Sequence, residues 1–325
     1  MSIAARNDGL SLPWSAQSRL SINGNVNIRH GGLRIYPSKY AGPEAVTSAV
    51  LADYVAGMSD WDIACPDQAQ GLTLEIIPNS APLILIHYRA TSTLTRQFGS
   101  RGFSQRDCRH VVTKFQTGVV VGRSRGPLGL ICVCLRPEGA AGLLGEHMQG
   151  FLDAEIGLDA VFGATAVSLL EEKLAEATTS AERLSWVERF LAANLRPQAL
   201  ESVACRAAGL LGQNPHLRVG HLAARLDVSE RHLSRSFQAM FGMAPKQFAR
   251  IARIESAWSA RGRGASWADI AYATGFADQS HMVNDFTEIV GVPPAQLVSF
   301  PAAEISRRGN GGSLKFREDE GRVCL

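Results

Sequence analysis

Two clusters of side chains in the C-terminal third could grip the edges of nucleic-acid bases. The first is Arg231, His232, Ser234 and Arg235; the second is Gln279, Ser280, His281 and Asn284. A guanidinium offers two parallel donors that match guanine O6 and N7, and a Gln amide offers a donor and an acceptor that match adenine. Arg235 and Gln279 are therefore the strongest candidate base readers. Ser229, Lys246, Arg250 and Arg253 stand where they could contact phosphates. The remaining chemistry-bearing residues form no comparable pattern. The six cysteines, at 65, 108, 132, 134, 205 and 324, include no C-x-x-C pair, and Cys132 and Cys134 alternate within an apolar run as on one face of a strand. That is the usage of a reduced, cytoplasmic chain. His87 and His110 lack the H-x-H spacing and nearby carboxylate of a metal set, so neither metal nor cofactor is expected.

The elements that would position the two clusters repeat one another. His221–Phe248 and Asp269–Leu297 align, with Ala223 and Ala271, and Val228 and Phe276, 48 residues apart. Phe237 and Phe286, Gly242 and Gly291, and Pro245 and Pro294 lie 49 apart, so the second copy carries one extra residue in its turn. Each copy reads as a helix-turn-helix. Leu222, Ala223 and Leu226 make a short apolar stripe, Asp227-Val228 makes a turn, and Ser229 caps a second helix. Leu233, Phe237 and Phe241 then recur every four residues and leave the first cluster outward. In the second copy Ser266 and Asp269 form a cap, Gly275-Phe276 turns, and Met282, Phe286 and Ile289 pack. The stretch between the copies reads as one helix that sets their separation. Reading helices about 34 Å apart can enter successive major grooves.

The chain of 325 residues has material for two or three domains, with 46% hydrophobic and 19% charged residues. No apolar run reaches the ~18 residues of a membrane span, and the N-terminus lacks the basic-then-apolar order of a signal peptide. Residues 1–30 read as an extension. Residues 31–137 hold short β-rich runs such as LTLEIIPNSAPLILIHYR and LGLICVCLRP, bounded by Gly or Pro, and read as a barrel-like effector-sensing domain. Tyr88, Arg89, Phe98, Phe103 and Phe115 are its candidate pocket residues, by residue type. Residues 138–196 are helical, with a capping box at Thr179 and Glu182 and a stripe of Leu184, Val187 and Leu191 that serves either a dimer seam or packing on the β-domain. Trp186, Trp258 and Trp267 read as core. Residues 197–300 are all-α, with a first unit at 217–243, a connecting helix at 245–262 and a second unit at 266–291; residues 301–325 read as a mobile tail. The class is thus α+β.

At this point the residues resemble a known family. IAYATGFADQSHMVNDFTEIVGVPP is similar to the signature of AraC/XylS-type transcriptional regulators, and the stretch 217–297 resembles their DNA-binding domain. Residues 35–195 more loosely resemble a β-rich N-terminal domain of some of these regulators. The resemblance implies base contacts at Arg231, Ser234 and Arg235 and at Gln279, Ser280, His281 and Asn284. It departs from the pattern at Asn284, where the family usually has Arg, and at Met282, where it has Phe. It implies activation of transcription, a small-molecule effector, and RNA polymerase and a second copy of the chain as further partners.

Charge is divided unevenly. Residues 217–263 hold nine Lys/Arg against three acids, a balance of +6, while residues 264–300 hold four acids and no Lys/Arg, a balance of −4. Phosphate neutralisation drives much of DNA affinity, so the first unit is expected to carry most of it. Asp285 and Glu288 would repel any phosphate they face, and Arg307, Arg308, Lys315 and Arg317 in the tail could compensate. Taken together, the residues point to an effector-controlled, sequence-specific binder of double-stranded DNA without catalytic activity. The alternatives are an architectural DNA-binding protein, and a repair methyltransferase or cupin enzyme fused to such a reader. For a methyl-acceptor thiol, Cys108 between Asp107 and Arg109 is the one hint.

Overall fold

A computed structural model describes residues 21–22, 26–29, 32–35, 48–64, 73–76, 79–97, 103–113, 115, 120–148, 155–196, 202–262, 265–291 and 293–295. Phe98, Cys65, Cys324 and the tail arginines and lysine lie outside them. So do most of the N-terminal extension and the whole of 301–325.

Among the described residues the N-terminal half holds two six-stranded sheets. The first runs in the order β1 (Ser21–Ile22), β4 (Val55–Ile63), β11 (Leu128–Leu135), β6 (Leu83–His87), β9 (His110–Thr113), β12 (Glu155–Gly157). The second runs β2 (Val26–Arg29), β3 (Gly32–Ile35), β5 (Thr73–Ile76), β10 (Val120–Ser124), β7 (Ser92–Gln97), β8 (Phe103–Cys108). Every pairing is antiparallel except that of β3 with β5. Among the described residues neither sheet closes on itself, so the barrel-like domain takes the form of two open sheets. The reason lies in β11 and its neighbours. Ile131, Val133 and Leu135 join the main core, while Leu128, Leu130 and Cys132 are buried on the opposite face. A strand covered on both sides belongs to an inner layer, which explains its unbroken apolar run.

Helices α1 (Ala140–Leu144), α2 (Leu158–Phe162), α3 (Ala164–Glu176) and α4 (Ser180–Ala193) follow. The capping box at the start of α4 forms as read: Thr179 Oγ accepts from the Glu182 N–H at 3.2 Å, and Glu182 accepts from the Thr179 N–H at 3.2 Å. Leu184, Val187 and Leu191 are buried in the core shared with β4, β6 and β11, so the stripe on α4 serves the β-domain and not a dimer seam.

Polar groups fix that packing. Arg183 of α4 donates from Nε to Asp60 Oδ2 at 2.8 Å, Tyr88 Oη donates to Asp60 Oδ1 at 2.7 Å, and the guanidinium lies 4.6 Å from the Tyr88 ring. Asp62 receives Arg183 Nη2 at 3.3 Å and Arg89 Nε at 2.7 Å. Burial, then the neighbouring Asp60 charge, pushes the Tyr88 hydroxyl above its ordinary range.

His87 is enclosed in the β-domain, 1% exposed, with Nδ1 2.6 Å from the Arg109 carbonyl and Nε2 2.9 Å from Ser92 Oγ. Burial lowers its pKa to about 4. The unfolded chain therefore binds the proton more readily, and stability from this group is complete above pH ~6.5 and lost as pH falls toward 4. Between pH 7.5 and pH 5 it should fall by about 2 kcal/mol. Urea unfolding at the two pH values reads this; an equal drop in a His87→Asn variant would refute the assignment.

Candidate nucleic-acid interface

Among the described residues six helices form the C-terminal part: α5 (Val203–Gln213), α6 (Val219–Arg225), α7 (Glu230–Phe241), α8 (Pro245–Gly262), α9 (Trp267–Ala273) and α10 (Gln279–Val290). The two helix-turn-helix units are α6–α7 and α9–α10, and α8 joins them. Their turns share one construction. Asp227 and Gly275, 48 residues apart, both take left-handed conformations, with φ of 56° and 69°. Past them the Val228 N–H reaches the Ala223 carbonyl at 3.1 Å, and the Phe276 N–H reaches the Ala271 carbonyl at 3.0 Å. Gly275 is required twice over, because a Cβ there would collide with the His216 ring. The extra residue of the second copy falls between this turn and the cap. Ser229 caps α7 by accepting from the His232 N–H at 3.2 Å, and Asp278 caps α10 by accepting from the His281 N–H at 2.7 Å. Gly242 and Gly291 end the two helices in left-handed conformations.

These turns bury one face of each second helix and leave the other to solvent. Leu233, Phe237 and Phe241 are buried, whereas Arg231, His232 and Arg235 are exposed and Ser234 is half-buried. On α10 Met282, Phe286 and Val290 are buried, and Gln279, Ser280 and Asn284 are exposed. The first cluster is thus brought onto one surface of α7 and most of the second onto one surface of α10. His281 differs: it is half-buried, its Nδ1 accepts from the Ala277 N–H at 3.3 Å, and its ring meets Phe276 edge-on at 5.7 Å. It braces the turn.

The candidate phosphate contacts divide in the same way. Lys246 is exposed at the start of α8, and Ser229 is exposed with its oxygen used as a cap. Arg250 is turned inward. Its Nη2 lies 2.7 Å from Asp285 Oδ1 and 2.6 Å from Glu288 Oε2. Arg253 is half-buried, 5.3 Å from the Phe276 ring and 3.8 Å from Asp285 Oδ2. The expectation that Arg250 and Arg253 face phosphates is therefore corrected: α10 supplies carboxylates that hold them. Asp285 is likewise only 4% exposed and does not face solvent as a repelling charge.

Among the described residues, Tyr88, Arg89 and Phe115 of the candidate effector pocket do not come together. Tyr88 and Arg89 belong to the Asp60–Asp62–Arg183 network, because alternation along β6 and its continuation turns Tyr88 toward α4. Phe115 is 1% exposed and meets Phe241 at 5.2 Å and Phe248 at 6.0 Å, so it packs into the first helix-turn-helix unit. Phe103 lies in β8, its side chain outside the described residues, as Phe98 is altogether. What residue types could not reveal is this joint. A second contact also joins the halves, where Ser80 donates from N and Oγ to Glu255 of α8 at 3.3 and 2.5 Å.

Comparison with known proteins agrees with the repeat. Residues 222–299 match a family described as "Helix-turn-helix domain". Among solved structures, ToxT from Vibrio cholerae is 14% identical, with 75–76% coverage spanned by two of its structures: one covers 76% of this chain and 97% of its own, at a TM-score of 0.41. A structure of ToxT bound to an unsaturated fatty acid is 13% identical, covering 75% of this chain and 96% of its own, at 0.43. The AraC-like transcriptional activator CuxR is 15% identical, covering 69% and 82%, at 0.22. No curated protein matches the chain. The C-terminal part of this chain is an AraC-type helix-turn-helix domain, the DNA-binding module of transcription regulators.

Proposed function

We propose that the chain is a sequence-specific transcription regulator controlled by a small organic effector. The observation that carries the DNA-reading part is the shared turn at Asp227 and Gly275, with Arg231 and Arg235 exposed after the first and Gln279 after the second. Base readers must stand free on a helix fixed by its own core, and both helices meet that condition. The effector part is favoured by a cleft of about 800 Å³ whose walls come from both halves of the molecule. Ala52, Arg136 and Glu138 line it on one side, and Arg206, Arg225 and Leu226 on the other. A ligand that binds one arrangement of these walls better than another shifts the DNA-binding units with it. Contact with RNA polymerase, pairing of two chains and a place in the cytoplasm belong to the same proposal; no helix among the described residues is long and apolar enough to cross a membrane.

The chain is read as acting by binding, without a catalytic step. A methyl-acceptor would need a thiol of lowered pKa. Cys108, the candidate for that role, has its side chain outside the described residues; of the other thiols, Cys132 is pushed up by its hydrogen bond with Cys134 and by burial, and Cys205 by burial.

Selection of bound sequences from a random DNA pool, followed by footprinting, tests the reading. Two enriched blocks about one helical turn apart are expected. Arg235→Ala should cost about 1–3 kcal/mol and relax one base position. No enrichment, with and without candidate effectors, would sink specific recognition; an equal Arg235→Ala loss on all sequences would make that residue a phosphate contact.

A further inference from the structure

We infer that Arg250 is a positioning residue that sets the spacing at which the two reading helices meet DNA. The inference rests on the DNA-reading function proposed above. Helix α8 spans two separate cores. Phe248, Ala249 and Ile251 belong to the core of the first unit and the β-domain, and Ile254, Ala257 and Trp258 to the core of the second unit. Arg250 lies at the crossing and reaches from α8 to α10.

Its guanidinium grips two carboxylates one helical turn apart. Nε and Nη2 donate to Asp285 Oδ1 at 3.1 and 2.7 Å, while Nη1 and Nη2 donate to Glu288 at 3.2 and 2.6 Å. The groups around Asp285 are Arg250, Arg253 at 3.8 Å and His281 at 3.9 Å. Apolar packing in the second core is non-directional and tolerates small rotations of α10. A forked, charge-assisted grip on two carboxylates is directional and does not. The clasp thus fixes α10 against α8, and α8 carries the first unit.

The same geometry accounts for the acidity of the second unit. Each of its four acids has an internal partner. Asp269 accepts from Ser266 Oγ at 2.6 Å, Asp278 caps α10, and Asp285 and Glu288 hold Arg250. The charge deficit seen in the sequence serves assembly of the unit.

The test uses the full chain and a DNA pool in which two blocks are separated by variable spacers. Two variants are compared with the parent. Arg250→Ala removes the clasp, and the pair Arg250→Gln with Asp285→Asn removes it without leaving a charged Asp285 buried; Arg253 then loses its carboxylate at 3.8 Å but keeps its place against the Phe276 ring at 5.3 Å. Both are expected to broaden the selected spacing while leaving the sequence of the first block unchanged. Affinity for the two-block site should fall about 10- to 100-fold, with affinity for a first-block half-site unchanged. Unchanged spacing in a folded neutral pair overturns the inference. So does an equal loss on both DNAs with a salt slope reduced by about 1, the mark of a phosphate contact. A parent protein that selects no two-block site overturns the two-unit reading itself, and this inference with it.

Discussion

Arg183→Ala is expected to destabilise the N-terminal half by about 3–5 kcal/mol, the cost of stripping a partner from a buried ion pair. Asp60 has a fully buried side chain, and Arg183 is its only cationic partner among the described residues. Removal of the guanidinium leaves that carboxylate with Tyr88 Oη alone and also removes the group stacked on the Tyr88 ring. Arg183→Lys should recover part of the loss, since an ammonium restores charge but not the reach to both Asp60 and Asp62. The triple replacement Arg183→Met, Asp60→Leu, Tyr88→Phe removes the polar groups together and should return stability close to the parent. Urea unfolding followed by tryptophan fluorescence measures all three. A loss under 1 kcal/mol in Arg183→Ala would show that the network contributes no more than a surface pair.

Phe115→Ala should cost a similar amount, about 3–5 kcal/mol, but in a different place. The ring is the contribution of the β-domain to an aromatic cluster otherwise made by the first helix-turn-helix unit. Phe237 and Phe241 lie 4.6 Å apart, and Phe237 and Phe248 lie 5.4 Å apart. Phe115 closes that cluster edge-on to Phe241, with planes at 78°. Truncation leaves a cavity lined by both halves and weakens their joint more than either half alone. The expected result is a single cooperative transition in the parent that splits into two in the variant. Phe115→Leu, which keeps most of the volume, should lose less than about 1.5 kcal/mol and stay cooperative. A Phe115→Ala protein that unfolds in one transition with little loss would place the joint elsewhere, at the Ser80–Glu255 contact.

Much of the candidate interface was legible in the sequence because it is built from short-range rules. Ser229 and Gly242 bracket α7 by capping chemistry within single turns of chain, and Leu233, Phe237 and Phe241 declare its buried face by spacing. The repeat at 48 and 49 residues told where the inserted residue falls, since the turn and the cap are each local. The strand β12 has no signal in the sequence: three residues of edge pairing leave no periodicity, and Glu155–Gly157 is a strand only because β9 offers an edge. The long strand β4 was equally hidden, because one of its faces carries Asp60 and Asp62, charges that only Arg183 and Arg89 make acceptable there.

The α+β class, the two helix-turn-helix units, their caps and the exposed faces of α7 and α10 can be read from the chain alone. These follow from residues within a few positions of one another, where backbone geometry fixes who meets whom. Tertiary structure alone decided that Phe115 joins the halves, that Tyr88 lies under Arg183 and that Arg250 turns from phosphate to Asp285. Each of those outcomes pairs residues far apart in the chain, 123 positions for Arg183 and Asp60 and 35 for Arg250 and Asp285. A charged or aromatic side chain has several acceptable partners. Only the packing of whole elements places one of them within reach and excludes water from the rest.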